Sequence, residues 1–313
     1  MLRRLWVIAA VLMLYASTTY AQEATQTPLS IDLTAPTQGD FQESAVGDIK
    51  LADYPTLPEL TDTAKIIFAN GRAAGRNPHM FSKIGDCMTA ADYFLTAFGS
   101  KDYDLGTFTD LQPAVDYFST VAPDTDPFKT NAFSSPGLST DSGFTTSSVL
   151  DSTWADKDVC QANESPLVCE FRVANPAYAL IMFGTNDVFY FEPSMFDYYM
   201  RLIVIQTIQS DVVPVLYTFP VRPEFPEKSL LFNQIIVKIA QDYDLPLVNL
   251  VVALQDLPNQ GVNINDTIHM SLPENDAVAT FNDDTLQAGY TLRNLLTLQT
   301  LNGFLTTLAE PAK

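Results

Sequence analysis

Apolar and polar positions follow two rhythms along the chain. Short apolar runs, each bounded by Gly, Pro or Asp, occur at "MFSKIG" (80–85), "AYALIMFG" (177–184), "DVVPVLYTF" (211–219) and "LPLVNL" (245–250). Continuous apolar runs of this length are strands buried on both faces. They predict adjacent parallel strands over 81–86, 178–184, 212–219 and 246–250. Between them the spacing turns helical, in "MFDYYMRLIVIQTIQ" (195–209) and "EKSLLFNQIIVKIAQDY" (227–243). After Cys87, the residues Ala91, Phe94, Leu95 and Phe98 fall at i, i+3, i+4 and i+7, one face of a helix that Gly99 would stop. "TDTAKIIFANGRAAG" (61–75) predicts a short helix starting at Thr61 or Asp62, with Gly71 near its end. In "DDTLQAGYTLRNLLTLQTLNGFL" (283–305), Asp283 or Asp284 is the expected cap and Leu292, Leu295 and Leu296 the apolar face.

Buried strands alternating with helices form βαβ units, and hence a parallel sheet covered on both sides. Sites on such sheets lie at the carboxyl ends of the strands. That rule gathers Cys87, the stretch Gly184 to Asp187 and the residues after "LVNL" into one crevice. Residues 22 to about 60, rich in Thr, Pro, Gln and Asp, show no period and are expected to be loosely structured. Residues 100 to 175 are expected to be long loops with a few short elements.

The first 21 residues change the picture of location. Arg3 and Arg4, the apolar "LWVIAAVLMLYA" and "TYA" before Gln22 have the layout of a secretory signal. The apolar run is shorter than the roughly 20 residues that span a bilayer; an uncleaved anchor is the alternative. The expected organisation is a signal at 1–21, a loosely structured lead over 22–75 and one domain over 76–313. Removing a leader with two arginines and no acid takes the formal charge from −20 to −22. So acidic a chain repels nucleic acid and anionic membrane surfaces. Hydrophobic residues make up 47%, enough for a full core. No later stretch is apolar enough to span, so no integral membrane segment is expected after cleavage. Export into an oxidising space pairs Cys160 with Cys169 in "CQANESPLVCE" and leaves Cys87 free.

The chemistry available is narrow. There are two histidines, His79 and His269. A His-rich metal site is thereby excluded, no CxxC or HExxH pattern occurs, and no Gly-rich phosphate loop is present, so no cofactor is expected. In "NDTIHMS", Asp266 stands three residues before His269 and could curl back to Nδ1, leaving Nε2 as a base; an incidental surface turn is the alternative. In "FGTND", Asn186 follows a buried strand and could offer its amide to an oxyanion or simply cap a turn. In "DSGFTTSSVLD", Gly143 precedes a Ser/Thr run that could start a helix with an open N–H, or could be a flexible loop. The aromatics of "VFYFEPSMFDYYM" (188–200) are divided: Phe189 and Tyr190 are candidates to wall a pocket, and Phe196 and Tyr199 are expected in the core. His79 is read as a structural or surface residue.

Taken in order, "IGDCMTA", Gly143, "GTND" and "DTIH" resemble the blocks of the SGNH (GDSL) hydrolase family, over roughly residues 78 to 305. The resemblance implies a flavodoxin-like three-layer α/β/α fold and cleavage of carboxylic esters through an acyl-enzyme. It implies Cys87 in the position of the nucleophilic serine, His269 as base and Asp266 as its orienting carboxylate. The N–H groups of Cys87 and Gly143, with the Asn186 amide, would hold the oxyanion. Asp86 shapes the turn. The first block departs from the family at the nucleophile itself. A thiol beside an imidazole and at a helix start is expected to have a lowered pKa and to be solvent-reachable. Sulfur in a site shaped for oxygen also misplaces the oxyanion. Three outcomes stay open: an active thiol esterase, a weakened enzyme, or a domain that binds an acylated glycan or lipid without cleaving it. The substrate would be a small-molecule or glycan-linked ester.

Overall fold

The computed structural model describes residues 26–120 and 130–308. The expected signal lies outside the described residues. Four parallel strands form the central sheet, β1 (Asn77–Gly85), β2 (Pro176–Met182), β3 (Val213–Tyr217) and β4 (Leu247–Val248), in the order β1-β2-β3-β4. The register pairs Ile84 with Ile181, Leu180 with Val215 and Leu216 with Leu247. The outer edge of β1 carries a single parallel bridge between Gly85 and Thr140, and Gly85 N–H donates to Ser139 O at 3.1 Å. In the flavodoxin-like strand order 2-1-3-4-5 a strand stands at that edge; here it is reduced to one bridge.

The helices are α1 (Asp62–Ala74), α2 (Cys87–Ala90), α3 (Thr96–Ser100), α4 (Gln112–Phe118), α5 (Pro166–Val173), α6 (Asp187–Tyr190), α7 (Pro193–Gln209), α8 (Pro226–Asp242), α9 (Leu250–Ala253) and α10 (Gly289–Leu308). Every residue of β2 and β3 is buried, which requires cover on both faces. On one face Tyr178 of β2 lies between Phe68 of α1 and Phe304 of α10, with ring centroids 5.5 and 5.8 Å away. On the opposite face Ser82 of β1 donates to Glu170 of α5, while α7 and α8 pack on β3 and on each other through stacked Phe196 and Phe232. Phe196 is fully buried, as expected for core. A hairpin of β5 (Val262–Asn263) and β6 (Asp266–Met270) stands apart from the sheet. Among the described residues no helix is long and apolar enough to cross a membrane.

Three local expectations need correction. The helix after Cys87 is not continuous: α2 stops at Ala90, Leu95 adopts a left-handed φ of 66°, and α3 begins at Thr96. Side chains of α10 replace the lost intrahelical bonds. Asn294 Nδ2 donates to Tyr93 O and its Oδ1 accepts from Leu95 N–H, while Arg293 donates to Met88 O and to Thr89 Oγ1. Helix α1 agrees with its reading: Thr61 caps it, Gly71 lies near its end, and Gly75 takes the left-handed stop at φ 90°. Helix α10 begins at Gly289, since Asp284 precedes a separate short turn, Thr285–Gln287. Its buried face also exceeds the leucine stripe, for Arg293, Asn294 and Thr297 are fully buried. The lead is irregular but packed: Val46 is buried, and Asn249 Nδ2 donates to the carbonyls of Leu51 and Tyr54.

Candidate active site

The turn that carries Cys87 is built by its neighbours. Gly85 ends β1 where a Cβ would stand 2.4 Å from Met182 O and from Thr89 Oγ1, so only glycine lets the strand close on β2 and α2. Asp86 caps α2, accepting from Met88 N–H at 3.2 Å. Cys87 is therefore the first helical residue, at the carboxyl end of β1. Gly184 makes the matching turn after β2; its φ is 137°, and a Cβ there would meet the Phe219 ring at 2.1 Å.

His269 and Asp266 lie on β6. Two residues three apart on a regular strand point to opposite faces. Here the ladder pairs Val262 with Met270 but Asn263 with Asp266, so the intervening stretch of β6 bulges. The bulge lets Asp266 Oδ2 meet His269 Nδ1 at 2.6 Å. The pair is open to water, with 35% of the imidazole exposed. Helix α2 and strand β6 lie against each other, which brings the pair to the Cys87 side of the crevice. Among the described residues no hydrogen bond joins His269 to the Cys87 thiol.

Residues that the sequence reading passed over hold this arm. Thr185 Oγ1 donates to Ile268 O at 3.2 Å, and Thr267 donates to Glu224. Glu224 in turn accepts from Arg222 Nε at 3.3 Å, and Arg222 Nη1 donates to Thr185 O at 3.1 Å. A Thr-Glu-Arg-Thr circuit thus ties the His269 arm to the loop bearing Asn186. His79 is outside this region: its Nδ1 meets Tyr117 O at 3.0 Å and its ring stacks on Tyr117, a structural role.

The expected state of the thiol is reversed. Cys87 is only 7% exposed, and burial, then the charges of Asp86 and Asp266, push its thiol well above the usual range. One helical turn offers a small dipole against these terms. The thiol is neutral at physiological pH. Iodoacetamide should therefore label native Cys87 at least about 100-fold more slowly than a free cysteine at about pH 7, with a rate that climbs only in strong alkali. Mass spectrometry of the alkylated peptide measures this, and rapid labelling at neutral pH would refute the neutral-thiol assignment.

The oxyanion donors are also spent. Gly143 sits in a turn, not at a helix start, and its N–H donates to Asp141 Oδ1 at 2.9 Å. Asn186 Nδ2 donates to Ser142 O at 3.1 Å and Phe144 O at 2.8 Å, which uses both amide hydrogens and clamps the loop around Gly143. That leaves the Cys87 N–H, at the first helical position, where no intrahelical acceptor exists. Phe189 and Tyr190 do not close a wall; they are 61% and 66% exposed and form an open ridge beside Phe225. The disulfide joins Cys160 to Cys169, tying a loop to α5.

Two carboxylates beside the nucleophile's turn, Asp86 and Asp187, are fully buried. Asp187 Oδ1 accepts from Thr146 N–H at 2.8 Å and Thr146 Oγ1 at 2.6 Å, and its Oδ2 has no hydrogen-bond partner among the described residues. Asp86 Oδ2 is likewise unpartnered. Burial, and for Asp86 the charge of Asp187, raise them to about 7 (Asp86) and about 6 (Asp187). Arg293 lies nearby, fully buried, with its guanidinium 3.6 Å from the Phe94 ring centroid.

No protein-family model and no curated protein matches the sequence. Solved structures resemble the chain path. A lipolytic protein of the G-D-S-L family from Desulfitobacterium hafniense is 10% identical, with 71% of this chain and 99% of that one covered at a TM-score of 0.45. A psychrotrophic esterase from Pseudoalteromonas is 14% identical, covering 73% and 99% at 0.44. A lipase/acylhydrolase from Enterococcus faecalis is 16% identical, covering 72% and 95% at 0.40.

Proposed function

We propose that the chain is an exported carboxylic ester hydrolase of the SGNH type, acting through Cys87, His269 and Asp266. The observation that carries this reading is the 2.6 Å contact between Asp266 and His269 on an arm packed beside the turn of Cys87. The carboxylate holds the Nδ1–H tautomer and leaves Nε2 as base. Because the thiol is buried and flanked by carboxylates, a standing thiolate–imidazolium pair is disfavoured. Attack is instead coupled to proton transfer: His269 takes the thiol proton as sulfur bonds to the acyl carbon. The alcohol then leaves with that proton, and a thioester remains on Cys87. Water, deprotonated by His269, attacks the thioester; the acid departs and sulfur regains its proton. Asn186 must release one carbonyl before its amide can serve the oxyanion.

A second reading, an ester-binding domain without turnover, is favoured by one observation: the nucleophile is nearly covered and two of the three expected oxyanion donors are occupied. Incubation of the purified protein with p-nitrophenyl acetate separates the two. The hydrolase reading expects release of p-nitrophenol and, after acid quench, an acetyl thioester on the Cys87 peptide by mass spectrometry. Neither product, or acetylation elsewhere only, would reject it in favour of the binder.

A further inference from the structure

We propose that the cleft between Trp154 and the loop at Thr140–Phe144 is a sugar-binding site. The proposal goes beyond the hydrolase reading and does not need it, since such a platform serves a hydrolase and a binder alike. The cleft has a volume of about 300 Å³, and its walls include Trp154, Phe144, Thr140, Asp141 and Asp156. Trp154 is 54% exposed, a large aromatic face left in water. It meets Phe144 edge to face, at 6.2 Å and 83°, so the partner ring does not stack upon it.

That exposure is not the result of a loose loop. Trp154 ends the short turn Ser152–Trp154, which Asp151 caps through Thr153 N–H at 2.8 Å. Lys157 donates to Ser152 O, and Cys160 N–H donates to Asp156 O at 2.8 Å. The Cys160–Cys169 disulfide then anchors the segment to α5. A rigid, preorganised aromatic surface loses little entropy on binding.

The polar groups complement a polyol. Asp141 and Asp156 each use one oxygen locally, for the N–H of Gly143 and of Asp158. The second oxygen of each has no hydrogen bond among the described residues. Ionised carboxylates only accept, so they match hydroxyl donors. The negative π-face of an indole attracts the weakly positive C–H groups on one side of a pyranose. A flat open face with acceptors at its edge suits a ring with apolar faces and a hydroxyl rim. A quaternary ammonium would instead be caged by several rings, and here the second ring offers its neighbour an edge contact. The cleft also adjoins the candidate active site. Thr140 bridges Gly85, two residues before Cys87, and Phe144 O accepts from Asn186.

The two tryptophans of the chain are Trp6 and Trp154. Full-length protein carrying Trp6→Phe therefore reports on Trp154 alone by fluorescence. Cellohexaose, xylohexaose and N-acetylated chitohexaose are the probes, with choline chloride as the competing class. At least one sugar should give a saturable shift, with a Kd of about 1 mM. By calorimetry, Trp154→Ala should abolish that binding and Asp156→Asn should weaken it at least about 10-fold. Hydrolysis of p-nitrophenyl acetate, where present, should stay within about twofold in both variants, as neither residue touches the catalytic groups. Flat titrations with all three sugars, saturation by choline alone, or unchanged calorimetric affinity in either variant overturns the proposal. Absence of ester hydrolysis in the parent protein would overturn the hydrolase reading and not this one.

Discussion

Replacing Cys87 with alanine is expected to lower the hydrolysis of a short-chain aryl ester at least about 10³-fold, and His269→Ala should match it. Residues that act as one unit lose function together, so the double variant should be no worse than either single one. Asp266→Asn should cost less, because it leaves the imidazole present but without its orienting charge. Cys87→Ser is the informative change. Sulfur exceeds oxygen as a nucleophile chiefly through its thiolate. This site suppresses the thiolate by burial and by two neighbouring acids. Serine gives up nothing that the site uses, and its shorter bond brings the oxyanion nearer the Cys87 N–H. Cys87→Ser should therefore hold or raise turnover. Initial rates on p-nitrophenyl acetate, with circular dichroism to verify folding, measure the series. Equal rates for the parent and Cys87→Ala would make Cys87 a bystander.

What was legible in the sequence divides by the range of the interactions that decide it. The sheet strands could be read because β2, β3 and the second half of β1 are buried on both faces, which leaves uninterrupted apolar runs, and the βαβ rule then sets them parallel. The Asp266–His269 contact could be anticipated because it spans three residues. The break after α2 could not. Ala91, Phe94, Leu95 and Phe98 fit a helix, but Asn294, about 200 residues away, satisfies the backbone at Tyr93 and Leu95 and makes the break affordable. Arg293 and Asn294 interrupt the leucine stripe in the sequence, yet both are fully buried and bond the segment around the break. Donor occupancy was equally hidden. A Gly before a Ser/Thr run, or an Asn at a strand end, announces an available N–H, but local sequence does not say that Asp141 takes the first or that the 142–144 loop takes the second. The raised pKa of the Cys87 thiol was hidden for the same reason, since helix-start logic sees the dipole but not the burial that tertiary packing adds.

Asp86→Asn is expected to stabilise the fold above about pH 7 by on the order of 2 kcal/mol, and to flatten its pH dependence. The native pKa of Asp86 is raised from 3.8 to about 7. Between about pH 4 and about pH 7 the native state keeps a proton that the unfolded chain has released. Unfolding then releases protons, so this group favours the fold at low pH and its contribution is lost as pH rises through 7. Asp187, raised to about 6, acts in the same direction over a narrower window. Asp187 Oδ1 holds two bonds from Thr146 and Asp86 Oδ1 a single one from Met88 N–H, so the amide at position 86 relieves the costlier charge. Neutralising either acid also relieves the other. The effects of Asp86→Asn and Asp187→Asn should thus fall short of additive in a double-mutant cycle. Urea unfolding at about pH 5 and about pH 8 reads the slope directly; a parent-like slope in Asp86→Asn would show that Asp86 does not carry the proton. The same substitution tests the coupling to chemistry. With the Asp86 charge gone, the Cys87 thiol should titrate lower, and iodoacetamide labelling at about pH 8 should accelerate over the parent.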